Sequence, residues 1–429
     1  VTSKARDLIK RLDRLGVPKN LRRHPNTIVA LGDSRVAQIH ADGAFRNKAA
    51  YNHFTMGNAL AGNRAILVKN LGVSGQRTDE ILPRLKQAID SGAYVLYIHA
   101  GVNDIAQSYP TAATSGVTTF NNIRIMIDAA VDAGMLPLVV LEPGANNFTT
   151  AMITQLWILN QLLREYAETC PHLVLFDLGA AIYNMAATST TALALVGTVD
   201  GVHEGVLAGY NGGKAFAQVL TAIMPPRPHG VRSSTEIPAN SSLYLTQNPM
   251  FTTATGGALG TGITGTVAGF WSTQRSGAAT AVASVGTASD GSGLSEQIMQ
   301  TTFTAAGEEM RVVQDVAIGL WSPGDIVQGH AEVAVDAGSV NLASVMVYVQ
   351  ANGTIGGNGV AATAMDGYSG AGMGATTTEA YKVNLSTEKL NVPNYDVKSW
   401  ITLHIKAIAA GAGSATFRVR RATAKKRFS

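Results

Sequence analysis

Cysteine is almost missing from this chain. The 429 residues hold one, Cys170, so no intrachain disulfide can form. A cysteine nucleophile would need a histidine beside it. His172, two residues on at the start of an expected strand, is badly placed for that, and Cys170 reads as structural. Charge is also sparse. Asp, Glu, Lys and Arg make up 14% of the sequence against 46% hydrophobic residues, which excludes a disordered, charge-solvated chain. No run of about 18 apolar residues occurs, so no membrane-spanning helix is expected. The opening Val1-Thr2-Ser3-Lys4 is not a secretion signal. It also lacks a Met, as a processed or truncated chain would, so the missing signal says little about location. Two further absences bear on chemistry. There is no Gly-Lys-Ser/Thr of a phosphate loop, and the Gly101 turn lacks the other glycines of a dinucleotide fingerprint. No His, Cys, Asp and Glu stand at metal-ligand spacing. No cofactor and no metal are expected.

The charge that is present sits at the ends. Net charge is +4, but residues 1–23 carry eight Lys/Arg against two Asp, and residues 418–429 carry six Lys/Arg and no acid. The body between is therefore acidic, so no nucleic-acid partner is expected, and the basic ends read as solvated termini.

Glycine is plentiful, at 45 residues, and the length suits two or three domains. Lys4, Leu8, Ile9, Leu12 and Leu15 have helical spacing behind Ser3 as a cap. Short apolar runs at 27–31, 65–71, 94–100, 136–141 and 172–177 read as strands buried on both faces. Helical patterns at 78–90, 117–133, 152–168 and 206–223 fill the gaps. Strand and helix in alternation give a three-layer α/β domain with a parallel sheet. The Pro225-Pro226-Arg227-Pro228 stretch ends that pattern. Beyond it, segments at 264–271, 279–285, 311–319, 329–335, 343–350 and 400–406 alternate between turn signals, as a β-sandwich or jelly roll does. Residues 353–375, rich in Gly and Ala, read as a long loop or bulged edge. The expected layout is a helix and lead-in over 1–24, the α/β domain over 25–225, a linker over 226–240, the β-sandwich over 241–421 and a basic tail over 422–429.

Gly32-Asp33-Ser34 directly follows the first strand, and a serine there sits on the rim where open α/β sheets bind ligands. A serine hydroxyl needs a base. Of nine histidines, His203 is the best placed, because Asp200, three residues earlier in a Gly-containing turn, can hold one ring nitrogen while the other faces outward. Donors for an oxyanion come from three strand ends: the N–H of Ser34, the N–H of Gly75 in Gly72-Val73-Ser74-Gly75, and the side-chain amide of Asn103 in Gly101-Val102-Asn103-Asp104. Asp33 and Asp104 read as turn-holding residues, Arg77 as a solvated surface arginine and His99 as a satisfied core or rim histidine.

With its four blocks in order, the chain resembles the SGNH, or GDSL-like, hydrolase superfamily over residues 25–225. The resemblance implies a flavodoxin-like sheet and metal-free ester hydrolysis. Ser34 would be the nucleophile, Asp200 and His203 would complete the triad, and Ser34, Gly75 and Asn103 would form the oxyanion hole. Position 35 is Arg where Leu is common. Asn248-Pro249-Met250-Phe251 and Trp321-Ser322-Pro323-Gly324-Asp325 resemble segments of jelly-roll carbohydrate-binding modules. The aromatics Trp271, Trp321, Tyr348, Tyr368, Tyr381 and Trp400 are sugar-stacking candidates, most of them better read as core. The pairing implies an esterase that removes O-acetyl or other small O-acyl groups from a polysaccharide. Such pairings occur in secreted bacterial enzymes and phage tail proteins, which implies an extracellular or virion-associated place and leaves room for a homo-oligomer, such as a trimer. The alternatives are a general small-ester or lipid hydrolase, and a glycan-binding or tail-assembly protein with a silent hydrolase domain.

Overall fold

The structure, a computed structural model, describes residues 23–184, 194–228, 230–370 and 372–427. The helix expected over 3–15 lies outside the described residues. Two compact units divide the rest. The first holds the residues through Ile39, Asn52–Glu204 and Asn211–Arg227; the second holds His40–Tyr51, Gly205–Tyr210 and the chain from Pro228. No described helix is long and apolar enough to cross a membrane.

The strands up to residue 227 are β1 (Thr27–Gly32), β2 (Asn47–Ala49), β3 (Ile66–Gly72), β4 (Val95–His99), β5 (Leu136–Leu141) and β6 (Val174–Asp177). The helices are α1 (Ser34–Ala37), α2 (His53–Leu60), α3 (Thr78–Ile81), α4 (Leu85–Asp90), α5 (Val102–Ala106), α6 (Ser115–Asp132), α7 (Thr150–Thr169), α8 (Gly179–Ile182) and α9 (Val206–Ile223). All but β2 join one parallel sheet in the order β3-β1-β4-β5-β6. This is the flavodoxin-like order, whose switch point falls between β1 and β4. β4 and β5 are buried at every position, which is why both read as unbroken apolar runs. Val29 and Leu31 of β1, Ile98 of β4 and Val139 of β5 share a core with Ile123 and Ile127 of α6 and Leu156, Leu159 and Leu163 of α7. That core sets the heights of the strand ends.

The single helix expected over 78–90 is broken. A 3-10 turn at Leu82–Arg84 separates α3 from α4, because Pro83 has no N–H for the carbonyl one turn back. Two glycines fix how closely the rim is packed. A Cβ on Gly32 would lie 2.1 Å from the His99 carbonyl oxygen, and one on Gly72 would lie 2.1 Å from the Ala37 nitrogen.

The second unit is β-rich: β7 (Ile263–Gly265), β8 (Ser272–Arg275), β9 (Thr280–Thr287), β10 (Ser295–Phe303), β11 (Glu309–Val316), β12 (Ile326–Val335), β13 (Val340–Ile355), β14 (Asn358–Tyr368), β15 (Tyr381–Ser386), β16 (Leu390–Asn391) and β17 (Val397–Arg427). β17 is the axis. Its first half pairs with β11 and β13, its second half with β10 and β12. Residues 40–51, expected in the α/β domain, cluster here because β2 pairs with β14, Asn47 opposite Met365.

Three other expectations change. Residues 353–375 are mostly strand, not loop: Gly356 and Gly357, at φ 58° and 80°, make the two-residue turn of a β13–β14 hairpin, as left-handed glycines do. Residues 422–427 are strand rather than tail, with Arg427 opposite Ile326. The basic end is not solvated either. Arg418 pairs with Asp336 and Glu296, and the buried Arg420 pairs with Glu296 and Asp290. Among the aromatic candidates, Trp271, Trp321, Tyr348 and Tyr381 are core, Tyr368 is half-buried and Trp400 is exposed.

Gly32→Ala should destabilise the first unit by about 3 kcal/mol or more, since the clash is with main chain that cannot turn aside. Denaturant unfolding checks it, and a shift below about 0.5 kcal/mol would mean the rim is looser than described.

Candidate active site

Ser34 is the first residue of α1, set at the end of β1 by Asp33, whose carboxylate accepts the Arg35 N–H at 3.0 Å. The Asp33 N–H in turn donates to the His99 carbonyl across the rim. Ser34 is 8% exposed. Its Oγ lies 2.8 Å from His203 Nε2, and His203 Nδ1 lies 2.7 Å from Asp200 Oδ2. The other Asp200 oxygen accepts the N–H groups of Val202 and His203 at 2.9 and 2.7 Å. Those bonds close the turn and aim the ring. Partial burial works to raise the Asp200 pKa, but the His203 ring and the two N–H groups outweigh it and hold the carboxyl below its usual range. An acceptor-only carboxylate on Nδ1 fixes the tautomer that leaves Nε2 free to take the hydroxyl proton.

β1, β3 and β4 are neighbours, so the turns after them share the rim. Gly75 follows β3 at φ +79°, with no atom within 4 Å of where a Cβ would stand. Its carbonyl accepts Gln107 Nε2 at 3.1 Å. The N–H groups of Ser34 and Gly75 donate to nothing among the described residues. Asn103, in α5 after β4, donates through Nδ2 to the Gln76 carbonyl at 3.0 Å, which fixes its amide beside the Gly75 turn. Asp104 is buried and accepts the Thr78 N–H and hydroxyl at 3.0 and 2.5 Å. Burial pushes its pKa up against those bonds, and it ties α3 to α5 as a turn-holding residue should. Arg77, expected as a solvated surface arginine, pairs with Asp79, bonds Gln107 Oε1 at 2.9 Å and lies 4.3 Å from the Tyr109 ring centroid.

Beneath the rim lies a buried polar layer of which the sequence reading picked out only His99 and Arg35, and not as partners. The fully buried Arg35 pairs with Glu142 and donates to the carbonyls of Gly144 at 2.5 Å and Val202 at 2.8 Å. Glu204, next after His203, accepts the His53 N–H at 3.1 Å and sits 2.9 Å from His53 Nδ1. His53 Nε2 is 2.7 Å from the Tyr97 hydroxyl, which is 3.5 Å from His99 Nδ1. His99 Nε2 is 3.7 Å from Glu142 Oε2. This row has a carboxylate at each end and three groups between, each with one proton when neutral, so four gaps share three protons. If Glu204 accepts from His53 Nδ1 and His53 Nε2 accepts from Tyr97, the Tyr97 oxygen faces the proton on His99 Nδ1. His99 Nε2 is then left bare toward Glu142 Oε2, and both atoms are among the described buried atoms without a hydrogen-bond partner. His99 is thus not the satisfied histidine expected. Burial, with Arg35 and His53 nearby, holds its pKa well below the usual value. The available signal was position: His99 and Glu142 each close an all-buried apolar strand, where a polar residue has no reason to be unless it faces the rim.

A hydroxyl, an imidazole and a carboxylate stand in line at the switch point of the parallel sheet of a three-layer α/β unit. Residues 30–204 match the model of the GDSL-like Lipase/Acylhydrolase family. Among solved structures, similar ones include a GDSL-like lipase from Bacteroides thetaiotaomicron, at 17% identity and TM-score 0.35 over 50% of this chain and 96% of that one. Axe2, an acetylxylan esterase from Geobacillus stearothermophilus, matches at 17% identity and TM-score 0.34 over 45% and 93%. A structure of carbohydrate-binding modules of the β-sandwich superfamily matches at 14% identity and TM-score 0.26 over 37% and 58%. No curated protein matches the chain in sequence.

Burial raises the Asp33 carboxyl to about 6, Arg35 working against the rise. A carboxyl raised on folding binds more protons folded than unfolded between its two pKa values, so its contribution to stability falls as pH rises from about 4 to 6. Asp33→Asn, which keeps the acceptor for the Arg35 N–H and never ionises, should lose that decline. The Tm difference, variant minus parent, should grow from pH 4 to pH 7; a flat difference would show that Asp33 does not titrate there.

Proposed function

We propose that this protein is a serine esterase that removes O-acetyl, or other small O-acyl, groups from a polysaccharide. The observation that carries the reading is the hydrogen-bonded line from Ser34 Oγ through His203 to Asp200. Ser34 Oγ attacks the ester carbonyl as His203 Nε2 takes its proton, and Asp200 stabilises the imidazolium. The N–H groups of Ser34 and Gly75 and the Asn103 amide receive the oxyanion. The tetrahedral intermediate expels the sugar hydroxyl, which leaves with the proton from His203. Water, activated by the same ring, then frees the acid and regenerates Ser34.

The rim supports a polar alcohol as leaving group. Gln107, Arg77, Asp79 and Tyr109 form one bonded polar wall beside Gly75, which suits a polyhydroxylated substrate better than a lipid tail. The separate β-rich unit, with Trp400 48% exposed on β17, supplies a surface for a long glycan. A polysaccharide substrate puts the place of action outside the cell or on a virion.

Acetate release from p-nitrophenyl acetate and from an acetylated glycan tests the reading. Ser34→Ala should lower both by about 10³-fold or more, and an unchanged rate would end the nucleophile assignment. Faster turnover of long-chain esters than of acetate would replace the small-acyl reading. Glycan binding with no ester turnover would leave a binding protein.

A further inference from the structure

We infer that Arg35 is a positioning residue: its buried guanidinium clamps the loop that carries His203 to the turn that carries Ser34. The inference rests on Ser34 and His203 being nucleophile and base.

Three observations carry it. Arg35 adjoins Ser34 in sequence, and the carbonyl it grips through Nε and a terminal nitrogen, at 3.2 and 2.8 Å, is that of Val202, the neighbour of His203. One rigid planar group therefore spans the two residues that must meet, and a planar fork holds direction as well as distance. Second, Arg35 is itself fixed. Glu142 pairs with it, and Glu142 Oε1 also accepts the Gly144 N–H at 3.1 Å, while the Gly144 carbonyl accepts from Arg35. The other Glu142 oxygen has no hydrogen-bond partner among the described residues, so the carboxylate depends on Arg35 and the Gly144 N–H. Third, the far side of His203 is held independently, by His53 on the Glu204 carboxylate. The base thus hangs between two buried anchors, of which Arg35 is the one tied to the nucleophile's own turn. An isolated structural ion pair would not need to reach Val202.

Removing Arg35 alone strands the Glu142 charge, so the informative variant removes both. Arg35→Leu/Glu142→Leu should fold, with kcat on p-nitrophenyl acetate lowered about 10²-fold and KM within about twofold, because a misplaced base costs rate without costing ground-state binding. Arg35→Lys keeps the charge but has no fork to reach Val202, Gly144 and Glu142 together. Scored per folded molecule, its kcat should fall at least about tenfold, again with little change in KM. That variant decides the matter should the double variant not fold. A kcat within twofold of the parent in the folded double variant, or in Arg35→Lys, overturns the clamp and leaves Arg35 as a neutraliser of Glu142. Ser34→Ala run alongside separates the two claims. Loss of activity in Ser34→Ala with normal Arg35 variants defeats only the clamp, whereas activity retained in Ser34→Ala defeats the catalytic reading beneath it.

Discussion

A guanidinium cut off from water stands one residue beyond Ser34, and the rim of the first unit is arranged to satisfy it. Burying a charge is unfavourable by several kcal/mol unless it is paired and hydrogen-bonded. Arg35 meets that demand with one carboxylate and two carbonyls from separate segments, the turn after β5 and the turn before α9. Because those partners are not optional, neither are the positions of the turns. The need to solvate Arg35 by protein constrains where the loop of His203 lies, and the Asp200 bonds then aim the ring.

The sheet does the rest by converging strand ends. β1 is central between β3 and β4, so the three turns that carry Ser34, Gly75 and Asn103 emerge side by side. Gly32 and Gly72 let main chain pass where a methyl group would not fit. The result is a rim whose main chain is closely packed beneath it. The donors and hydroxyl at the surface are few, and the groups that hold them lie underneath.

Much of this was legible in the sequence. The five parallel strands show as apolar runs because both their faces are covered, and the residues at the rim show because short polar blocks follow such runs. Arg35 was visible as an unusual residue but not as a buried one, since its partners Glu142 and Val202 lie 107 and 167 residues away. Pairing over such distances leaves no local pattern. The Gly356-Gly357 hairpin was hidden because its strand, Asn358–Tyr368, is built of small residues that look like loop. Arg418 and Arg420 looked like a solvated end because their acids lie far upstream: Glu296 on β10 by 122 and 124 residues, Asp290 by 130 and Asp336 by 82.

The 31-residue strand β17 has a consequence for the order in which the second unit is made. It is the partner of β10, β11, β12 and β13 alike, yet it follows all of them in the chain. As the polypeptide emerges, those four strands have no common neighbour to add to, and their edges stay open until β17 is synthesised. Assembly of this region is therefore deferred, paced by long-range pairing and exposed to misassociation between nascent chains. The sheet of the first unit faces no such delay, since β1 meets β3 and β4 within the first hundred residues.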